Sequence, residues 1–237
     1  MTEKTEPQEP CYALLIAPHP DDSEFSSAGT ISTWTGQGRR VVYLICTDGD
    51  KGSADPDMTP ERLAAIRRRE QSAAAAFLGV AEVRYLGHPD QGIEDTPEFR
   101  KELVRWIRAY RPEVVLAPDP YRRYIWHRDH RLTGQAVLDA VFPAARDRLA
   151  HLDLLEEGLH PHKVKEILFW GTEDVNHRVD ITDLFETKLR ALQFHQSQIG
   201  QRPLEEWTEM LRERARALAA GSPYALAEGF HRVVTPP

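Results

Sequence analysis

Short apolar runs alternate with longer amphipathic stretches along the first two thirds of the chain. The apolar runs have the length and composition of buried β-strands, and they lie at residues 12–17, 41–46, 83–86 and 114–117. Helical patterns separate and follow them, at about residues 28–36, 59–79, 96–110 and 129–142. Strands that alternate with such helices predict βαβ units, a mostly parallel sheet, and helices on both faces of that sheet.

The pattern loosens after Pro143. Strand-like runs follow at residues 166–170 and 179–181. A helix is expected from Asp183, where Glu186 resembles the second half of a capping box, and a last helix at residues 204–220. We therefore expect one domain over residues 11–237, a three-layer α/β fold with a C-terminal helical elaboration. The polar residues 1–10, rich in Glu and Pro, predict a disordered tail.

Composition narrows the class of protein. A net charge of −7 over 237 residues gives no electrostatic footprint for nucleic acid. No apolar stretch approaches the ~18 residues of a membrane span, and the N-terminus lacks the apolar core of a signal peptide. Cys11 and Cys46 both lie inside apolar runs, which favours buried free thiols in a reducing compartment. The expected location is the cytoplasm.

Two clusters of polar residues follow strand-like runs. His19, Asp21 and Asp22 come directly after the first run, and His127, Asp129 and His130 follow the fourth. The carboxyl ends of parallel strands share one edge of the sheet, so we expect the two clusters to meet there. Buried polar groups at such an edge must be hydrated, paired or bound to a metal.

The residue types suggest a catalytic metal. Two imidazoles and one carboxylate would leave a coordination position open, and this donor set suits Zn²⁺ or Fe²⁺. Asp21 is then a candidate general base beside a metal-facing Asp22, His127 a candidate to polarise a substrate oxygen, and Asp129 a candidate to fix an imidazole tautomer. These parts would hydrolyse an amide or ester. Helix capping and Mg²⁺ binding remain alternative roles for the aspartate pair.

The segment at residues 18–24, followed by Gly29-Thr30-Ile31, resembles the signature of the LmbE-like, or PIG-L, family of metal-dependent N-deacetylases. The sequence of residues 127–130 matches the family's His-x-Asp-His motif. The resemblance implies a Rossmann-like fold and a metal, usually zinc, held by His19, Asp22 and His130. It also implies that Asp21 is the base, that His127 stabilises the oxyanion, and that Asp129 orients a histidine.

Weaker similarities extend the resemblance to about residue 200. They include Asp48 after the second strand, Arg67 with Glu70, Asp90 after Gly87, and residues 195–198. Asp48 and Arg67 are therefore candidates to bind substrate, although an exposed i,i+3 ion pair would explain Arg67 nearly as well. Tyr124, in the aromatic and basic loop 119–126, is a third candidate because its ring could stack on a sugar. Glu24 is offset from its position in many family members, so it receives no role.

The leading hypothesis is a hydrolase that removes an acetyl group from a small acetamido compound, an N-acetylglucosamine-type conjugate. One alternative is a metal-dependent amidase that acts on a non-sugar conjugate. Others are a non-catalytic sugar- or nucleotide-binding module and a Mg²⁺-dependent phosphoryl or glycosyl transferase, although the transferase would lack a Gly-rich phosphate loop with lysine. The expected partner is a small molecule, with neither nucleic acid nor membrane, and a homo-oligomer is left open.

Overall fold

The computed structural model describes residues 6–200 and 202–236. Within them, seven strands form one sheet in the order β3-β2-β1-β4-β5-β7-β6. The first five of these, β3 to β5, are parallel, and β7 is antiparallel to both of its neighbours. The strands are β1 Ala13–Ala17, β2 Val41–Thr47, β3 Glu82–His88, β4 Val114–Pro118, β5 Glu166–Trp170, β6 His177–Asp180 and β7 Ala227–Val234.

Helices connect the parallel strands and cover the sheet. Threonine caps with proline in the first turn start two of them: Thr59 accepts a hydrogen bond from Arg62 N, and Thr96 accepts one from Phe99 N. The helices are α1 Asp22–Gly36, α2 Pro60–Phe77, α3 Pro97–Tyr110, α4 Arg128–Asp139, α5 Leu152–Glu156, α6 Phe185–Leu192, α7 Gln196–Ile199 and α8 Leu204–Ala219.

The main core lies in two apolar layers, one on each face of the sheet, and a third apolar cluster lies between α6 and α8. Alternate residues of β1 divide between them: Leu14 and Ile16 face one layer, while Ala13 and Leu15 face the other. Every residue of β1 and β2 is buried, as expected for central strands covered by helices on both sides. The prediction of a three-layer α/β fold is confirmed.

The structure differs from the predicted elements in several places, and one of them is helix α5, which the sequence does not predict. Helix α1 begins at Asp22 rather than near residue 28, so residues 22–27, which are polar except for Phe25, form its first turns. The helix predicted from Asp183 is broken into a 3₁₀ turn, α6 and α7, and within the described residues the Asp183 side chain makes no cap bond. Strand β7 was not predicted. The C-terminal elaboration is therefore part strand and part helix.

Strand β7 connects the C-terminal segment to α1, the signature helix, which contains residues 22–24 and 29–31 of the family signature. Glu228 on β7 accepts hydrogen bonds from Gly29 N at 3.0 Å and from Thr30 N at 2.8 Å. A Cβ at Gly29 would lie 2.4 Å from Ile181 Cγ2, so only glycine allows this approach. Glu228 also forms a buried ion pair with Lys188 of α6. Helix α1 is thus held by residues from the far end of the chain.

Three further expectations concern the surface and the cysteines. The disorder expected for residues 1–10 falls partly outside the described residues; of the remainder, Gln8 N donates to Ala109 O and Arg40 donates to Glu9 O. Cys11 and Cys46 are buried free thiols, as predicted. No helix among the described residues has the length and apolar character needed to cross a bilayer.

Candidate metal centre

The two polar clusters meet at the carboxyl ends of β1 and β4. These strands are neighbours in the sheet, and the order of strands reverses between them, which is where open α/β sheets bind ligands. The rings of His19 and His130 have centroids 5.2 Å apart, and His130 Nε2 lies 3.3 Å from Asp22 Oδ1. The meeting of the clusters, expected from the parallel pattern, is observed.

Three side chains, His19, Asp22 and His130, bring potential ligand atoms within 4.8 Å of one another. His19 Nδ1 lies 3.3 Å from Asp22 Oδ2, and His130 Nε2 lies 3.3 Å from the other oxygen of the same carboxylate. Ligands of a tetrahedral zinc ion are roughly 3.3–3.5 Å apart, since each is about 2.0–2.2 Å from the metal. The imidazole–carboxylate–imidazole set of His19, Asp22 and His130 therefore fits a divalent metal with one open position.

The other nitrogen of His19 faces two carboxylates. His19 Nε2 lies 3.1 Å from Asp90 Oδ1 and 3.1 Å from Asp129 Oδ2. A hydrogen on Nε2 leaves the Nδ1 lone pair free to bind metal, and a carboxylate that accepts this hydrogen makes the imidazole a stronger ligand. Although His19, Asp90, His127 and Asp129 also form a group of potential ligands, this arrangement favours the Nδ1 side.

Asp129 is fully buried and joins several segments. It accepts hydrogen bonds from Gln91 N at 2.7 Å and Ile93 N at 3.4 Å, besides its contact with His19. The loop after β3 is thereby fixed against the start of α4. This loop carries Asp90, to which the sequence assigned no role and which is 4% exposed.

The ionisable groups of the centre shift one another's pKa values. Burial raises the pKa of Asp22, but the neighbouring His130 and His19 outweigh it and lower that pKa to about 2. Burial also lowers the pKa of His130, which favours the neutral imidazole that binds metals. Both effects keep the two side chains in the protonation states of metal ligands.

Asp21 occupies a different environment from its neighbour Asp22. Its backbone is left-handed, with φ of 93°, and its N–H donates to Gln71 Oε1 at 2.8 Å. Burial raises the pKa of Asp21 to about 6, although the Arg67 guanidinium, 3.2 Å away, opposes the rise. Such a pKa is close to what a general base needs near neutral pH.

His127 caps helix α4. Its Nδ1 accepts a hydrogen bond from Asp129 N at 3.3 Å, so the neutral ring carries its hydrogen on Nε2. That Nε2 lies 3.6 Å from Asp90 Oδ1, and the His127 and His19 rings are 4.4 Å apart. The side chain is 39% exposed, so an N–H donor faces both the centre and the solvent.

The three residues assigned to substrate lie in unlike surroundings. Arg67 is buried, and its guanidinium donates to Pro20 O at 2.5 Å and Gly49 O at 2.9 Å. Asp48 pairs with Arg68 at 2.8 Å, an ion pair that is half-exposed on the arginine side. Tyr124 is 83% exposed with φ of 52°. The structure therefore ties Arg67 to the Asp21 loop and leaves Tyr124 in solvent.

The chain is similar to known deacetylases. The PIG-L, GlcNAc-PI de-N-acetylase, family matches residues 14–141. A diacetylchitobiose deacetylase of Thermococcus kodakarensis is 39% identical over 220 residues, covering 93% of this chain and 82% of the relative. A probable N-acetyl-α-D-glucosaminyl L-malate deacetylase of Bacillus anthracis is 30% identical over 205 residues, with coverage of 82% and 84%.

The fold also matches a solved deacetylase. The N,N'-diacetylchitobiose deacetylase of Pyrococcus horikoshii, solved with an inhibitor, superposes with a TM-score of 0.90 at 35% identity, over 94% of this chain and 83% of that one. As its motifs predict, the chain belongs to the PIG-L, or LmbE-like, family of de-N-acetylases, which are hydrolases of carbon–nitrogen bonds other than peptide bonds.

Proposed function

We propose that this protein is a metal-dependent deacetylase that releases acetate from N-acetylglucosamine-type compounds. One observation carries the proposal: Asp22 lies 3.3 Å from both imidazoles, while the adjacent Asp21 is held apart with a pKa raised to about 6. A metal site and an independent base thus occupy successive residues. The deacetylases to which the chain is similar support the choice of an acetamido sugar as substrate.

His19, Asp22 and His130 would hold the metal. When bound there, a divalent ion supplies a Lewis acid that polarises the acetyl carbonyl and lowers the pKa of water. We propose Zn²⁺ or Fe²⁺, because two imidazole nitrogens and a carboxylate suit these ions better than Mg²⁺, which prefers oxygen. Reconstitution of metal-free protein with each ion separately tests this choice.

Asp21 moves the proton. As a carboxylate it accepts a proton from the attacking water, and it then returns the proton to the amine nitrogen as the C–N bond breaks. Arg67 contacts Asp21 Oδ2 at 3.2 Å and stabilises the charged form before the proton arrives. Acetate and a free amine leave, and the carboxylate of Asp21 is regenerated.

His127 stabilises the oxyanion. Its cap bond to Asp129 N places the hydrogen on Nε2, the atom that faces the centre. An N–H fixed in this way can donate to the oxygen on which negative charge develops during attack. Asp129 and Asp90 act through His19 by holding its ring in one tautomer.

Exposed aromatic side chains support recognition of a sugar. Tyr121, Tyr124 and Trp126 are 70%, 83% and 94% exposed on the loop that precedes α4. Aromatic faces of this kind can stack on pyranose rings, and neighbouring hydroxyls would be held by polar groups such as Asp48. We therefore propose that loop 119–126 contacts the sugar part of the substrate.

An acetate-release assay tests the proposal. N,N'-diacetylchitobiose, other N-acetylglucosamine conjugates and non-sugar acetamides are incubated with protein carrying Zn²⁺ or Fe²⁺, and free acetate and amine are measured. Release from the sugars alone is the expected result. Release from non-sugar amides alone would favour the amidase alternative, and binding without release would favour a binding module.

A further inference from the structure

Glu24 is a fully buried carboxylate that belongs to neither the metal ligands nor the base. It accepts hydrogen bonds from Gln71 Nε2 at 3.0 and 3.1 Å and contacts His195 Nε2 at 3.0 Å. All three side chains are completely buried. An ionised carboxylate only accepts hydrogen bonds, so both partners must present N–H groups to it.

This requirement fixes the orientation of Gln71. Because its Nε2 donates to Glu24, its Oε1 is left to face the other way, where it accepts from Asp21 N at 2.8 Å. A flipped amide would set its Nε2 donor against the Asp21 N–H and its Oε1 acceptor against the Glu24 carboxylate. The negative charge of Glu24 therefore determines which atom of Gln71 meets the Asp21 backbone.

His195 completes the set from the C-terminal half of the chain. Its Nε2 carries the hydrogen directed to Glu24, and among the described residues its buried Nδ1 has no hydrogen-bond partner. A buried polar atom without a partner is destabilising, so its presence calls for an explanation beyond packing. The following turn is anchored to α2, where Ser197 N and Oγ both donate to Glu70.

We propose that Glu24, Gln71 and His195 form a positioning relay, which holds the Asp21 peptide in its left-handed conformation and so aims the proposed base. The inference rests on the proposed function of Asp21. A φ of 93° is unusual for a residue other than glycine and persists only when its surroundings enforce it. The hydrogen bond to Gln71 is the contact that enforces it from the N–H side, while Arg67 holds the preceding carbonyl.

The relay predicts a loss in kcat without loss of metal. Gln71→Met keeps the volume of the side chain but removes the acceptor, and Glu24→Gln keeps the shape but removes the charge that orients Gln71. Since a displacement of about 1 Å can lower a rate roughly 100-fold, we expect kcat for acetate release from N,N'-diacetylchitobiose to fall about 10- to 100-fold. KM and the metal content should stay within about threefold of wild type, because His19, Asp22 and His130 keep their partners.

A double-mutant cycle separates positioning from general destabilisation. If Gln71 acts through Asp21, Gln71→Met in an Asp21→Asn background should cause less than a further twofold loss. An equal loss in both backgrounds, or no loss in either, would overturn the relay. Glu228→Gln is the matched control. Glu228 is a second buried carboxylate, on β7, whose partners on α1 and α6 do not touch Asp21, so this substitution should leave kcat unchanged.

A crystal structure of Gln71→Met keeps the test independent of activity. The expected result is an Asp21 backbone that has left the left-handed region or shows two conformations. An unchanged φ near 93° would overturn the relay whatever the kinetics. A wild-type protein that binds metal and releases no acetate would instead reject the proposed function, and with it the role of Asp21 as the base that the relay serves.

Discussion

The buried carboxylate of Asp129 lies 3.1 Å from His19 Nε2, on the side of the ring opposite the proposed metal. Asp129 is therefore placed to set the tautomer of His19 without touching the metal itself. The same carboxylate accepts a hydrogen bond from Gln91 N, so one side chain connects the loop after β3 to the loop after β1. Metal affinity should depend on a residue that is not a ligand.

Asp129→Asn should weaken metal binding about 10- to 100-fold, because an amide makes His19 a poorer ligand than a carboxylate does. Titration of metal-free protein with Zn²⁺ measures the effect. Asp139→Asn, at the other end of α4, is the control and should bind as wild type does. Equal affinities for Asp129→Asn and wild type would contradict the proposed role.

Substitutions should separate the ligands from the base. His130→Ala removes a donor atom and should abolish both stoichiometric metal binding and acetate release. Asp21→Asn should retain the metal while kcat falls about 100-fold or more, since general acid–base catalysis typically contributes 10²- to 10⁴-fold. Metal content is measured by elemental analysis. Full hydrolysis by Asp21→Asn would remove the base assignment and leave the metal assignment standing.

Gly134 should not tolerate a side chain. A Cβ there would lie 2.3 Å from Pro118 O at the end of β4, a backbone atom that cannot rotate away. Gly134→Ala should therefore push α4 outward and displace His130, one turn earlier. We expect weaker zinc binding together with a loss of stability of about 1–3 kcal/mol. Gly36→Ala, with open space around its Cβ position, is the control. Unaltered zinc affinity in Gly134→Ala would show that the helix position does not control the site.

Two lysines should differ in their contribution to stability. Lys188 pairs with Glu228 in the interior, whereas Lys165 pairs with Glu113 at the surface. Lys188→Met leaves a buried carboxylate without its cation and should lower the free energy of unfolding by about 3 kcal/mol. Lys165→Met should leave it nearly unchanged, because solvent screens this exposed pair. Urea denaturation measures both, and similar losses would refute the distinction.

Cys11 should make stability fall at alkaline pH. Burial raises the pKa of this thiol from 9.0 to about 12, so the folded state favours the neutral form. The contribution is complete below pH 9 and is lost as pH rises toward 12, since the unfolded chain then gives up the proton first. The stability of wild type relative to Cys11→Ala should decline in this range by up to about 1.4 kcal/mol per pH unit. A constant difference from pH 8 to 11 would contradict this.

The sequence predicts the parallel sheet and the meeting of its two polar clusters because both follow from local pattern. Apolar runs such as residues 41–46 locate the strands, and parallel strands share a carboxyl edge. The start of α1 was misplaced because Ser23, Glu24 and Ser27 are polar, which is the pattern of a solvated loop. All three are buried, and Glu24 is held there by partners on other elements.

Contacts between residues that are far apart in the sequence could not be predicted. Glu24 and His195 are separated by 171 positions, and nothing in the spacing of either residue indicates the other. Asp90 follows β3 in a turn without periodicity, so only the folded register brings it to His19. Strand β7 contains Glu228 and Gly229, and both residue types are uncommon in strands. In the fold, Glu228 accepts a hydrogen bond from α1, and Gly229 packs closely against Leu218 of α8.

Glu228 accepts hydrogen bonds from Gly29 and Thr30, and this contact limits how short a fragment of the chain can be and still fold. Residues 14–141 carry every proposed metal ligand and the proposed base, yet their signature helix is bonded to a strand at residues 227–234. A fragment that ended near residue 141 would expose the β4 edge and lose the acceptor that binds the middle of α1. We therefore expect a fragment limited to residues 14–141 to be less stable than the whole chain, because α1 and the β4 edge lose their partners from the C-terminal part.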